Sequence, residues 1–327
     1  MELESEIPFP AELLTVPFLE RELVRAVVIV KQTFDIGTDG SLARSDEQQA
    51  ITPRTVRTPF GVLTGDMFFR KEGVDVCVLG TVRRATPVSE ACLAVRVGGL
   101  RRTLRVFGER RWLRGMGALR PSPPSPFTEI PLGYSHAFGG AARFERQRAV
   151  WPDNPDGIGL YLSAQHAEGN RLPHIEDADA RPIADWKDRP PVAGWGPYPF
   201  EWGLRLRGAV LNEGDDGPRL RPTVKMFNNA HPSLVVARLD AKTPIELEGV
   251  SDRSLQFSIP ETVPRVNVRV GFKERTLSAA LDGVFIWTDP RKVVFTYRAR
   301  FEYPLQRGDE RRVAVFMGAE PGLARAG

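Results

Sequence analysis

The stretch VVFTYRARFEY, residues 293 to 303, decides the fold class. Val293, Phe295, Tyr297, Ala299, Phe301 and Tyr303 fall at every second position, with Thr296, Arg298, Arg300 and Glu302 between them. Successive side chains of a β-strand point to opposite faces, so a period of two predicts a long strand with one buried and one wet face. The same grammar recurs outward from it. In PRVNVRVGF (264–272), Val266, Val268 and Val270 oppose Arg265, Asn267 and Arg269, while RAVVIVKQTFDI (25–36) runs into the turn chemistry of GTDG. LAVRVGGLRRTLRVFG (93–108) is two alternating runs hinged on Gly98 and Gly99, a hairpin signal. DGVF and TDPRK, between the last strands, supply the turns of an antiparallel meander.

No window carries an amphipathic helix of three turns. Short helical turns are expected around Pro10 to Glu22, Ala141 to Arg148 and Arg275 to Leu281. A parallel α/β architecture needs helices between its strands and is excluded. The expectation is a mainly β chain of antiparallel, sandwich-like sheets with few short helices. PSPPSPF (121–127) interrupts it with stacked prolines, which favour extended geometry and cannot continue a ladder. It suggests a boundary near residue 120, giving an N-terminal β domain over 1–120 and a C-terminal one over 121–327 that contains an irregular aromatic platform at 127–205.

The chain has 327 residues and a formal charge of +4, from arginines scattered along its length rather than a basic arm, so nucleic acid is not indicated as a partner. RRTLRVFGERRWLR (101–114) could pass for a phosphate-binding stripe, but Arg101, Thr103 and Arg105 alternate with apolar neighbours as the wet face of a strand does. The start, MELESEIPFP, lacks the features of a secretory signal, and the longest apolar run, Ala26 to Val30, is too short to span a bilayer. No membrane partner is expected. The two cysteines, Cys77 and Cys92, sit in apolar strand-like runs and are expected to be buried, reduced thiols of a cytoplasmic protein; a cross-strand disulfide is the alternative.

LPHIEDADARPIADWKDRPPVAGWGPYPFEW (172–202) has neither the strand nor the helix rhythm. Disordered segments are poor in aromatics, so Tyr134, Phe138, Trp151, Tyr161, Trp186, Trp195, Tyr198 and Trp202 mark this region as ordered and irregular, a combination common in functional loops. Its chemistry points away from catalysis. His166-Ala-Glu168 and His174-Ile-Glu176 repeat an H-x-E pattern without the further ligands of a zinc deaminase or metalloprotease. Asp177, Asp179 and Asp188 suit turn caps beside Arg181 and Arg189. Gly139-Gly140 and Gly157-Ile-Gly159 complete no dinucleotide fingerprint, and no nucleophile elbow or phosphate loop occurs. No cofactor or metal is expected. Trp, Tyr and Arg dominate protein–protein hot spots, which favours a binding protein over an enzyme.

The blocks PLGYSHAFGG (131–140), NPDGIGLY (154–161), LPHIE (172–176) and RPPVAGWGP with the following W-G-L-R (189–205) resemble, in order, the signature of the family called domain of unknown function twenty-one sixty-nine. VVIVKQTFDI, GVDVCVLGTV, VGGLRRTLRVFGERRW, MFNNAHP and LDGVFIWTDPRKVVFTYRARF continue the likeness, which covers about residues 25 to 303. Ser135 stands where the family usually has an acid, and Ser233 and Leu234 where it usually has polar residues. The resemblance implies a cytoplasmic adaptor or chaperone of bacterial type VI secretion, binding a protein effector (a toxin with a PAAR-like domain) and helping to load it onto the VgrG spike, with no cofactor. Tyr134, Phe138, Trp151, Trp186, Trp195 and Trp202 are the candidate contact or platform-shaping residues. If the structure buries them, the docking face is expected at a sheet edge capable of strand addition. The alternatives are a glycan hydrolase using Glu176 with His174 or Asp185, and a structural component of the spike.

Overall fold

Lys292–Pro304 forms a strand at the heart of a seven-stranded sheet in the computed structural model, which describes residues 1–58, 61–214, 217–305 and 310–319. In spatial order the sheet runs Ala11–Phe18, Leu23–Ile36, Lys292–Pro304, Ala280–Trp287, Val74–Leu79 and Val235–Val236, with Leu42–Arg44 hung on the end of Leu23–Ile36. Val293, Phe295, Tyr297, Ala299, Phe301 and Tyr303 are all buried, as their spacing predicts. The opposite face departs from expectation. Thr296 and Arg298 are also buried, at 2% and 4% exposure, and only Arg300 and Glu302 reach water. The segment around Asp66 to Phe68 covers that end of the face, as its hydrogen bonds to Arg298 demonstrate.

A five-stranded sheet runs Ile175–Asp177, Leu100–Phe107, Glu90–Val97, Pro244–Glu248 and Leu255–Ser258, and a four-stranded one runs Glu2–Ser5, Arg311–Ala319, Thr262–Val270 and Lys273–Ser278. Within the three sheets pairing is antiparallel, apart from Val74–Leu79 with Ala280–Trp287 and Glu2–Ser5 with Arg311–Ala319. One hydrophobic core is shared by inward faces of all three: Val28, Val30 and Phe295 from the first, Val95, Leu247 and Phe257 from the second, Val266, Val268 and Val313 from the third. The Phe257 and Phe295 rings meet edge-on with centroids 6.3 Å apart across this layer. The hairpin on Gly98 and Gly99 forms as expected, Leu100 pairing with Val97 and Gly98 taking a φ of 55°.

Residue 120 is not where the sheets divide. Both larger sheets draw strands from either side of it, because Leu23–Ile36 finds its thirteen-residue partner in Lys292–Pro304. The three segments expected to be helical turn out otherwise: Ala11–Phe18 and Lys273–Ser278 are strands, and 141–150 is the hairpin Ala141–Phe144 with Gln147–Val150. Each lies against a strand that offers ladder hydrogen bonds, which outweigh weak local propensity. Only Leu19–Arg21 keeps a helical turn there. DGVF is no turn either; it lies inside Ala280–Trp287, with a register shift between Leu281 and Gly283. The α-helices among the described residues are Ala164–Ala167 and Gly203–Leu206, and none is long and apolar enough to cross a membrane. Cys77 is buried, but Cys92 is exposed on the outward side of its strand, and both are free thiols. Thr103 is buried and Arg105 half-buried, because the turn after Ile175–Asp177 folds over them and Arg105 donates to the Ala180 carbonyl at 2.9 Å.

Candidate protein-docking surface

The aromatic segment is ordered, and most of it faces inward. Tyr134, Phe138, Trp195 and Trp202 are buried at 7%, 3%, 2% and 4% exposure, so they shape the fold rather than present a contact face. Of the six candidates, Trp151 and Trp186 alone are partly exposed. The structure divides the six between two centres. Tyr134 packs against Tyr198 at 4.4 Å and Trp202 at 5.5 Å and donates its hydroxyl to the Gly196 carbonyl at 2.7 Å, while the Trp195 carbonyl accepts from the Val78 amide at 2.8 Å. This group belongs to the main core. Phe138 sits edge-on to Trp151 at 5.3 Å in a second cluster with Trp112, Tyr161, Leu172 and Ile183, against which Trp186 packs. Two glycine positions are forced. A Cβ on Gly194 would lie 2.5 Å from the Tyr134 ring, and Gly139, at a φ of 152°, would place one 2.2 Å from the Asn154 carbonyl oxygen.

The acids and histidines of the segment are bound locally. Glu176 is buried, takes an Arg110 Nη2 hydrogen bond at 2.6 Å and accepts from the Ile183 amide at 3.2 Å. His174 Nδ1 lies 2.9 Å from the Phe107 carbonyl, and Asp185 caps a turn through the Lys187 amide at 2.9 Å. In the other H-x-E pair, Glu168 binds Arg114 while His166 stacks on Phe144 at 5.0 Å. No group of three or more His, Cys, Asp and Glu suited to a metal ion occurs among the described residues.

The open surface lies at the edge of the seven-stranded sheet. Ala11–Phe18 (AELLTVPF) pairs with Leu23–Ile36 on one side, and no described strand lies beyond it. The Lys31 amide donates to the Pro10 carbonyl at 3.1 Å, which fixes the alternation of the antiparallel ladder. Glu12, Leu14, Val16 and Phe18 therefore turn their backbone groups inward, and Leu13, Thr15 and Pro17 turn theirs to the free side. A groove of about 920 Å³ runs beside this edge. It lies over the sheet face just inside the edge strand, lined by Leu14, Val16 and Phe18 of that strand, Arg25, Arg300 and Glu302 of the next two, and Met67, Phe68, Phe69, Arg70 and Phe227. Val16 is 42% exposed.

Buried charges hold the far wall in place. Lys31 pairs with Asp66 at 2.7 Å, Lys71 with Asp75 at 2.8 Å, and Arg298 with Asp282, with the side chains of Lys71 and Asp75 almost wholly removed from water. Burial holds the Lys31 ammonium below its ordinary pKa, against the opposing pull of Asp66. Asp75 also accepts from the Asn229 and Ala230 amides at 3.0 and 3.2 Å and from Asn228 Nδ2 at 2.9 Å. Arg205 joins from below, donating to the Met226 carbonyl at 2.9 Å, and its burial lowers its pKa to about 10, so it stays charged at neutral pH. Segments distant in sequence, 71–77, 198–205 and 226–231, thus converge on one hydrogen-bonded node.

A family model described as an uncharacterized protein conserved in bacteria, DUF2169, matches residues 21–298. The chain belongs to that family. No curated protein and no solved structure matches it. In this DUF2169 protein the matched span takes in the groove wall, the Asp75 node and both aromatic centres, but not the edge strand at Ala11–Phe18. The sequence reading missed Asp75, Lys31, Asp66 and Arg298. A signal was present, since Asp75 in VDVCVL and Lys31 after RAVVIV are charges set within apolar runs, where an unpaired charge would be too costly to bury.

Proposed function

We propose that this DUF2169 protein is an effector adaptor of bacterial type VI secretion, holding a toxin with a PAAR-like domain in the cytoplasm and helping to load it onto the VgrG spike. The observation that carries the reading is an open apolar groove beside an unpaired strand edge. Soluble proteins usually blunt such edges with charges, bulges or covering loops, because a bare edge is a template for another chain. Here Leu13 to Val16 is uncharged and unbulged. Family membership supports the same reading through the role its resemblance implies.

An interface of standard size, about 1,600 Å² in total, exceeds what the groove alone supplies, so a folded toxin would also lie on surface around it. The test is co-expression of the tagged chain with the toxin encoded beside it. The adaptor reading expects a higher soluble toxin level and co-purification; failure to retain any neighbouring effector would remove it.

A further inference from the structure

The geometry points to an added β-strand as the way this groove holds its partner: an extended protein segment, apolar at alternate positions and bearing carboxylates, pairing with Leu13 and Thr15. The inference rests on the adaptor reading and supplies its binding mode.

Backbone geometry gives the register. On the free side the edge offers the N–H and C=O groups of Leu13 and Thr15, and no described residue hydrogen-bonds to them. Pro17 is the next outward residue and has no N–H, so an incoming ladder loses a donor there and its register is limited to the stretch before it. Strand addition draws affinity from such main-chain bonds and specificity from pockets that take alternate side chains. Leu14, Val16 and Phe18 stand between the added strand and the groove, so partner side chains on that face pack against their outer sides at the groove's rim.

Charge selects the partner. Glu302 pairs with Arg25 at 3.0 Å, whereas exposed Arg70 and Arg300 have no carboxylate within ion-pair distance among the described residues. The groove therefore carries uncompensated positive charge over an apolar floor, which suits acidic residues along an apolar strand. A second copy of the chain fits poorly, since edge-to-edge pairing about a two-fold axis would set two arginine-bearing grooves side by side.

The experiment selects a displayed library of random dodecapeptides on the full chain, then follows amide exchange with a winning peptide bound. Expected are peptides alternating apolar residues with Asp or Glu, protection of the Leu13 and Thr15 amides on binding, and at least tenfold weaker binding to Thr15→Pro and to Arg300→Glu. Thr15→Pro removes an outward N–H and no ladder bond; should it misfold, Val16→Asp, at an exposed position, sets a carboxylate on the groove's apolar rim that repels an acidic partner and is expected to weaken binding by the same factor. No enrichment, unprotected Leu13 and Thr15 amides, undiminished binding to the variants, or protection that appears with protein concentration alone through dimerisation would each overturn strand addition. The two readings separate in the toxin pull-down. If Thr15→Pro and Val16→Asp retain the toxin as wild type does, strand addition fails and the adaptor stands; if wild type retains none, the adaptor itself fails.

Discussion

The guanidinium of Arg298 lies 3.8 Å from the centre of the Phe68 ring and donates to the Phe68 carbonyl at 3.0 Å. One side chain from the central strand thereby ties down the loop that walls the groove. It reaches the Asp66 carbonyl at 2.8 Å as well, and it pairs with Asp282. A preorganised wall lowers the ordering cost of binding, because the loop need not be frozen when a partner arrives.

Replacing Arg298 by methionine strands the Asp282 carboxylate in a nearly dry site. The expected loss is about 3–5 kcal/mol of stability, typical of breaking a buried pair from one side. Urea unfolding measures it, and amide exchange across residues 67–70 should quicken in the same variant. A loss under about 1 kcal/mol would mean that water reaches the pair and that the wall is held by other contacts.

The aromatic centre around Tyr134 should govern stability and leave docking alone. Tyr134→Phe removes the hydrogen bond to Gly196 and should cost about 1 kcal/mol. Trp202→Ala should cost about 3–5 kcal/mol, as truncation of a buried aromatic does. Toxin retention per folded molecule is expected to stay at the wild-type level in both. A selective loss of retention in stable Tyr134→Phe would return the docking face to the aromatic segment.

Acid should weaken the fold before most carboxylates titrate. Burial, the largest cause, holds His136 and His231 below the ordinary imidazole value of 6.5, with His174 adding to it at His136 and Arg102 at His231. Between those depressed values and 6.5 the unfolded chain binds more protons than the folded one, so stability falls as the pH drops through that window. Glu109 and Glu168, held low by Arg111 and Arg114, enter only at lower pH. Unfolding midpoints at about pH 7.5 and 5.5 measure the slope, and His136→Asn with His231→Asn should flatten it. Asparagine can keep the cap that His231 Nδ1 provides for the Ser233 amide.

The two thiols should separate kinetically. Cys92 is exposed, while Cys77 is buried with its pKa raised, first by desolvation and then by Asp75. A disulfide reagent should modify one thiol of the folded chain quickly and the second only on unfolding. Two fast thiols would show that the Val74–Leu79 strand opens on its own.

Much of the scaffold was legible in the chain. Alternation at 264–270 and 293–303 located strands with the correct inward residues, and Gly98-Gly99 located a hairpin, because period two and turn chemistry are local properties. The aromatic content of 127–205 correctly signalled order, but not which of its rings are buried. A tryptophan in an irregular segment looks alike in sequence whether it faces solvent or a sheet, and Trp195 and Trp202 face the core. Ala11–Phe18 was expected to turn helically, since a lone edge strand with two leucines and a proline carries little local signal until Leu23–Ile36 is beside it.

By itself the sequence determined the β class, the inward faces at 264–270 and 293–303 and the absence of a bulky helical layer, since those follow from the spacing of apolar side chains along a pleated backbone. Only the tertiary structure decided that Arg298 and Lys31 are buried on the second face, that Asp75 binds the remote segment 228–230, and that no described strand pairs with the edge at Leu13 and Thr15. Those outcomes depend on which strand lands beside which, and pairing between residues more than two hundred positions apart, such as Val28 with Ala299, is set by the closure of the whole sheet.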